Sequence, residues 1–110
     1  FIAIGSVNGT FSTVPNMTAY GMAKAAQGML TQSLALELAP EVRVNAIAPG
    51  AILWPESGKS DAQKQTILDA TPLARIGDVD DICKAVRFLI EDATYCTGQI
   101  LAVDGGRLLR

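Results

Sequence analysis

A chain of 110 residues is long enough for one small domain with a real core and no more. Apolar residues make up 49% of it, charged residues 18%, and the net charge is -2, the balance of a folded chain rather than a disordered one. The absence of a basic cluster argues against a nucleic-acid surface or an anionic-membrane patch, and no apolar run approaches the roughly 20 residues a membrane span needs. Two cysteines without a CxxC spacing, and no histidine, leave too few ligands for zinc. Cys83 and Cys96 read as reduced thiols, so the expected location is the cytoplasm.

Phe1 to Ile4 is a short continuous apolar run, the pattern of a strand buried on both faces of a parallel sheet. A chain that opens this way, without flanking polar residues or the features of a signal peptide, reads as a piece of a longer protein entered within a strand. Gly5 to Asn16 is rich in Gly, Ser, Thr and Asn and reads as a loop, with Pro15 as a stop. Strong helix formers then predict a helix from about Met17 to Ala39, ended by Pro40. Its Ala19, Ala23 and Ala26 recur at helical spacing with Leu30 and Leu34 behind them, a narrow stripe suited to close packing within the domain or between subunits.

Val42 to Ala48 reads as the second strand, stopped by Pro49-Gly50. A loop follows from Ala51 to Lys59, carrying the sole tryptophan, Trp54. Ser60 with Gln63 three residues later is a capping-box pattern and predicts a short helix, closed by Thr71-Pro72. Asp78 is the expected N-cap of the next helix, with Asp80 and Asp81 favourably placed in its first turn. Val79, Ile82, Cys83, Val86, Leu89 and Ile90 fall on one face of it. Gln99 to Val103 is the third strand, ended by Asp104-Gly105-Gly106. Strands separated by helices predict an α/β fold with a parallel, doubly wound sheet, and three such strands alone would leave apolar surface uncovered.

In an open sheet of this kind ligands bind at the carboxyl ends of the strands. Gly5-Ser6, Pro49-Gly50 and Asp104-Gly105-Gly106 all fall there, and Tyr20 and Lys24 open the helix after the first loop. Their i, i+4 spacing puts a phenol and an ammonium on one helix face. A free phenol, with a pKa near ~10, is a poor proton donor or acceptor at neutral pH, but a neighbouring cation stabilises the phenolate. Such a pair can exchange a proton with a substrate atom, and a serine hydroxyl aimed at the same atom would hold it and stabilise developing charge.

Together, Tyr-x-x-x-Lys, the serine after the preceding strand, "RVNAIAPG", "PLARIGDVDDI" and "TGQILAVDGG" resemble the carboxyl half of a short-chain dehydrogenase/reductase, over essentially the whole chain. The resemblance implies a Rossmann-like fold in which Tyr20 is the general acid/base. Lys24 would bond the cofactor ribose and favour the Tyr20 phenolate, and Ser6 would position the substrate. The backbone after Pro49 and Gly50, above all Ile52, would meet the nicotinamide carboxamide, and Asn45 would brace the loop carrying Pro49-Gly50. The catalytic asparagine and the Gly-rich pyrophosphate turn of the family have no counterpart in these residues, and many members have a threonine where Trp54 stands.

"GAILWPE" and "GQILAVDGGRLL" are similar to bacterial pteridine reductases, which implies NADPH as cofactor (NADH being the other choice) and a dihydropterin as substrate, with Trp54 either walling the pocket or folded over apolar surface. Those enzymes often carry an aspartate where Ser6 stands, which keeps a 3-oxoacyl-thioester reductase, or another ketone reductase, as the alternative. A non-catalytic nucleotide-binding member is the third reading. The resemblance also implies a homotetramer built through the Tyr20 helix and through the Val79 helix with the last strand. Of the remaining residues, Met22, Met29 and Arg43 read as structural, and Arg75 as exposed or bracing the substrate loop. Glu56, Lys59, Asp61 and Lys64 are expected on a solvated lid.

Overall fold

The computed structural model describes residues 1–54 and 58–110; Glu56 of the expected lid lies outside them. Three strands, β1 (Ile2–Ile4), β2 (Asn45–Pro49) and β3 (Ile100–Val103), form a parallel sheet in the order β1-β2-β3. Ile4 lies opposite Ile47 and Pro49 opposite Val103, so the strand ends open onto the same edge of the sheet. Between and after the strands come α1 (Val7–Thr10), α2 (Thr18–Glu37), α3 (Asp61–Asp69), α4 (Val79–Glu91) and a 3-10 turn at Arg107–Leu109. The expected α/β parallel sheet flanked by helices is what forms. None of the described helices is long and apolar enough to cross a membrane.

Side chains alternate across a strand, and the two faces of this sheet differ in size. Ile2, Ile47 and Val103 pack with Ile82, Ala85, Val86, Leu89 and Ala93 of the α4 segment. The alternate positions on the other face are Ile100, which reaches Gly28 of α2, and otherwise only alanines: Ala3, Ala46, Ala48 and Ala102. Their small side chains let α2 come close, through its buried Gly28, Thr31 and Ala35. The stripe of Ala19, Ala23, Ala26 and Leu30 is on the solvent side of that helix, so it does no packing within the chain.

Caps written in the sequence form as expected. The Ser60 side chain accepts from the Gln63 N–H while Gln63 reaches back to Ser60, and Asp78 and Asp81 make the same reciprocal pair at α4. Four expectations are corrected. The Gly5–Asn16 segment is not all loop, because Val7–Thr10 makes one helical turn, distorted at Asn8 and Gly9. β2 begins at Asn45 rather than Val42, since Val42 still bonds back to Leu38. On α4, Val79, Cys83 and Ile90 are exposed, because the three-stranded sheet covers a narrower stripe than the apolar pattern spans. Asn45 does not brace the Pro49-Gly50 loop: its Nδ2 donates to Cys96 O at 2.9 Å and its Oδ1 accepts from Gln99 N at 3.0 Å, tying the link between α4 and β3 at the opposite end of the strand.

Arg43 is structural, as expected, in a specific way. Its Nη1 donates to the carbonyls of Leu89, Ala93 and Cys96 at 2.8–3.3 Å, and its Nη2 to Ile90 at 2.9 Å. A guanidinium thus caps the carbonyl end of α4, where the helix dipole favours positive charge.

Candidate active site

Ser6 follows β1 in extended conformation and caps α1, its Oγ accepting the Asn8 N–H at 3.2 Å. The hydroxyl is buried, and its proton has no acceptor among the described residues, so it can be given to a bound oxygen or nitrogen. Three residues on, Gly9 turns the chain with φ +94° and lays its backbone on the first turns of α2. A Cβ there would stand 2.5 Å from the Gly21 carbonyl oxygen and 2.9 Å from Lys24 Cβ. Both the positive φ and the close approach require glycine.

That contact sets the position of Tyr20 and Lys24. The Lys24 ammonium lies 5.9 Å from the Tyr20 ring centroid, and it donates to the Ile4 carbonyl at 3.1 Å and to Gln27 Oε1 at 3.2 Å. An ammonium has three N–H donors, and the third is left for a ligand. The bond to Ile4 fixes the cation at the carboxyl end of β1, two residues before Ser6. Tyr20 is 40% exposed and faces a cleft of about 330 Å³ with Asn8, Ser12, Thr13, Val14 and Met17. Met22 also lines this cleft rather than serving only as packing. Ser6 itself does not line it, but the Asn8 it caps does.

At the end of β2, Gly50 passes so close to the third strand's turn that a Cβ would sit 2.7 Å from both Cα and Cβ of Asp104. The Asp104 carboxylate is occupied with its own loop, accepting the N–H groups of Gly106 at 2.8 Å and Leu108 at 2.9 Å. Ile52 then pairs alongside Gly77 as an isolated parallel bridge, with Gly77 N–H donating to Ala51 and Leu53 N–H to Gly77. In this parallel bridge Gly77 bonds through its own N–H and C=O to the residues flanking Ile52, so the N–H and C=O of Ile52 itself face away. Among the described residues those two groups of Ile52 make no backbone hydrogen bond, so a donor and an acceptor are presented side by side. An amide such as a nicotinamide carboxamide matches that pair. With the spare donor of Lys24 for a ribose hydroxyl, the residues present fit the nicotinamide half of a dinucleotide.

Trp54 lines none of the described clefts; Lys64 of α3 covers its ring, 5.8 Å from the centroid. Arg75 is exposed and forks onto Asp81, with Nη1–Oδ2 at 2.7 Å and Nη2–Oδ1 at 3.0 Å. That hydrogen-bonded guanidinium, with the Asp78 N–H as the second cause, lowers the Asp81 pKa to about 2. The pair pins Ile76-Gly77 beside the Ile52 bridge. Gly9 and Gln27 were not read from the sequence as site residues. Only the close approach of two backbones reveals Gly9, while Gln27, three residues after Lys24 on the helix, carried a spacing signal.

The chain belongs to the short-chain dehydrogenase/reductase family. Residues 1–107 match the family described as Enoyl-(Acyl carrier protein) reductase. An uncharacterized oxidoreductase of Mycobacterium tuberculosis is 43% identical over 93% of this chain and 42% of its own. The 3-oxoacyl-[acyl-carrier-protein] reductase of Thermotoga maritima is 35% identical over 98% of this chain and 45% of its own. Among solved structures, a 7α-hydroxysteroid dehydrogenase complexed with NADH and 7-oxo glycochenodeoxycholic acid superposes with a TM-score of 0.89 at 38% identity, over 96% of this chain and 42% of that one. The chain therefore spans about two-fifths of the length of these relatives.

Proposed function

We propose that the protein is an NADPH-dependent reductase that reduces a dihydropterin, with Tyr20 as the proton donor. The observation that carries the reductase reading is the convergence at one sheet edge of the Tyr20 phenol, the Lys24 ammonium 5.9 Å from its ring, and the N–H and C=O of Ile52, unpaired among the described residues. The reduced nicotinamide supplies a hydride when bound. Tyr20 gives its phenolic proton to the substrate oxygen or nitrogen as the adjacent carbon is reduced, and solvent returns the proton afterwards. Lys24 holds positive charge beside the phenol while negative charge builds there. Ser6 keeps its proton and hydrogen-bonds the same substrate atom through its O–H, which orients that atom.

The pterin as substrate rests on "GAILWPE" and "GQILAVDGGRLL". Ser6, in place of an aspartate, favours the second reading, a 3-oxoacyl-thioester reductase, and the Thermotoga maritima relative is named for that activity. The test is NADPH oxidation by the full-length protein, followed by absorbance. Turnover of dihydrobiopterin is expected; brisk turnover of acetoacetyl-coenzyme A with none of dihydrobiopterin reverses the assignment. The proposed assembly is a cytoplasmic tetramer through α2 and through α4 with β3, supported by the solvent-facing Met22, Met29, Leu30 and Leu36 on α2.

A further inference from the structure

The loop from Asn8 to Val14 has a cleft on each side. One holds Tyr20. The other, about 340 Å³, shares Asn8, Ser12, Thr13 and Val14 with it and runs on to Arg107 and Arg110. The stretch between is apolar: Val7, Phe11 and Leu108 line it, and Phe11 is half exposed. Among the described residues no Asp or Glu side chain lines this cleft. Arg107 is half-buried, and among the described residues its guanidinium makes no hydrogen bond or ion pair. Arg110 donates one Nη1 bond to the Asp69 carbonyl at 3.0 Å, which holds it at the same end of the cleft, its other donors making no bond among the described residues.

The arginines are rigidly carried. Asp104 accepts the N–H groups on either side of Arg107, those of Gly106 and Leu108, and so fixes the 3-10 turn to the end of β3. A half-buried guanidinium with no protein acceptor among the described residues has its donors available to a ligand, and its planar fork matches a carboxylate or phosphate.

We propose that Arg107, with Arg110 beside it, binds an anionic group at the far end of the substrate whose reacting atom lies at Tyr20. The substrate class is a carbonyl or imine joined by an apolar or aromatic spacer to a carboxylate or a phosphate. The proposal rests on the reductase reading for the position of the reacting atom, and it makes Arg107 a specificity-determining residue rather than a catalytic one.

The test measures affinity by calorimetry on the full-length protein with NADP+ bound, and in parallel steady-state turnover with NADPH. The carboxylate arm compares 7,8-dihydrofolate with dihydrobiopterin, which lacks the charged tail. The phosphate arm compares acetoacetyl-coenzyme A with the neutral acetoacetyl thioester of N-acetylcysteamine. Arg107→Met is expected to weaken binding of the tailed member of at least one pair by about tenfold, and of its neutral partner by less than about twofold. The arm that responds identifies the anion. Arg107→Lys is expected to recover part of the loss, and added salt to weaken the tailed ligand alone. Equal losses for tailed and neutral ligands, or no loss for either tailed ligand, overturn the proposal. If none of the four compounds is turned over but the affinity difference persists, the reductase reading falls and the anion site stands.

Discussion

Gly9 rests on Gly21 with no room for a side chain between them. The contact joins the turn that follows Ser6 to the helix that carries Tyr20 and Lys24, so the hydroxyl and the phenol are positioned by one backbone crossing. Gly9→Ala must change φ from +94° or push α2 away. We expect a loss of about 2 kcal/mol in a urea melt of the full-length protein, of the size seen for overpacking. A larger proportional fall in kcat than in cofactor affinity should accompany it. An unchanged melt and rate would show that the crossing does not set the site.

Tyr20→Phe removes the proton and keeps the ring. Turnover should drop by roughly a hundred- to ten-thousand-fold, the usual range for a general acid, while NADPH still binds by fluorescence titration. Lys24→Met should impair both, because its ammonium also holds the Ile4 carbonyl at the end of β1. Near-normal rates for Tyr20→Phe remove the phenol from the reaction.

Arg43 gathers four carbonyls at the end of α4. Arg43→Met should cost about 3 kcal/mol, since several partly buried acceptors lose a charged donor together. Arg43→Lys should recover less than half, because an ammonium cannot fork between the Leu89 and Ile90 sides. Thermal melts of the three proteins check this ordering.

Asp81 gives a pH dependence of known sign. Its pKa is lowered in the folded state to about 2 by Arg75 and the Asp78 N–H, below that of an unfolded aspartate near ~3.9. Its contribution to stability is thus fully present above pH ~4 and is lost as pH falls toward 2. Acid titration of wild type against Asp81→Asn should show the two curves converging in that window. Curves that stay parallel through it would mean the pair adds nothing.

What was legible in the sequence was local. The Ser60 and Asp78 caps depend on residues three apart, and both form as written. The strands, too, are marked by apolar runs and by the turns that end them. Tyr20 and Lys24 share a face because helix geometry alone puts them there. What was not legible depends on contacts across the chain. Asn45 looks like a loop brace until the α4–β3 link is seen passing over it. The helical turn at Val7–Thr10 hides among turn-forming residues, and Asn8 and Gly9 depart from helical geometry within it. The apolar face of α4 is wider than the three strands it meets, so periodicity overstated what would be buried.

β2 runs between two different kinds of dependence. Its first residue, Asn45, is fully buried and bonded to the link that holds α4 to β3; its last, Pro49, leads into Gly50 and the outward-facing N–H and C=O of Ile52. Five residues thus divide what selection can detect. A screen for survival of heat should collect its damaging substitutions at the amino end of this strand, and a screen for lost turnover in proteins that still fold should collect them at the other.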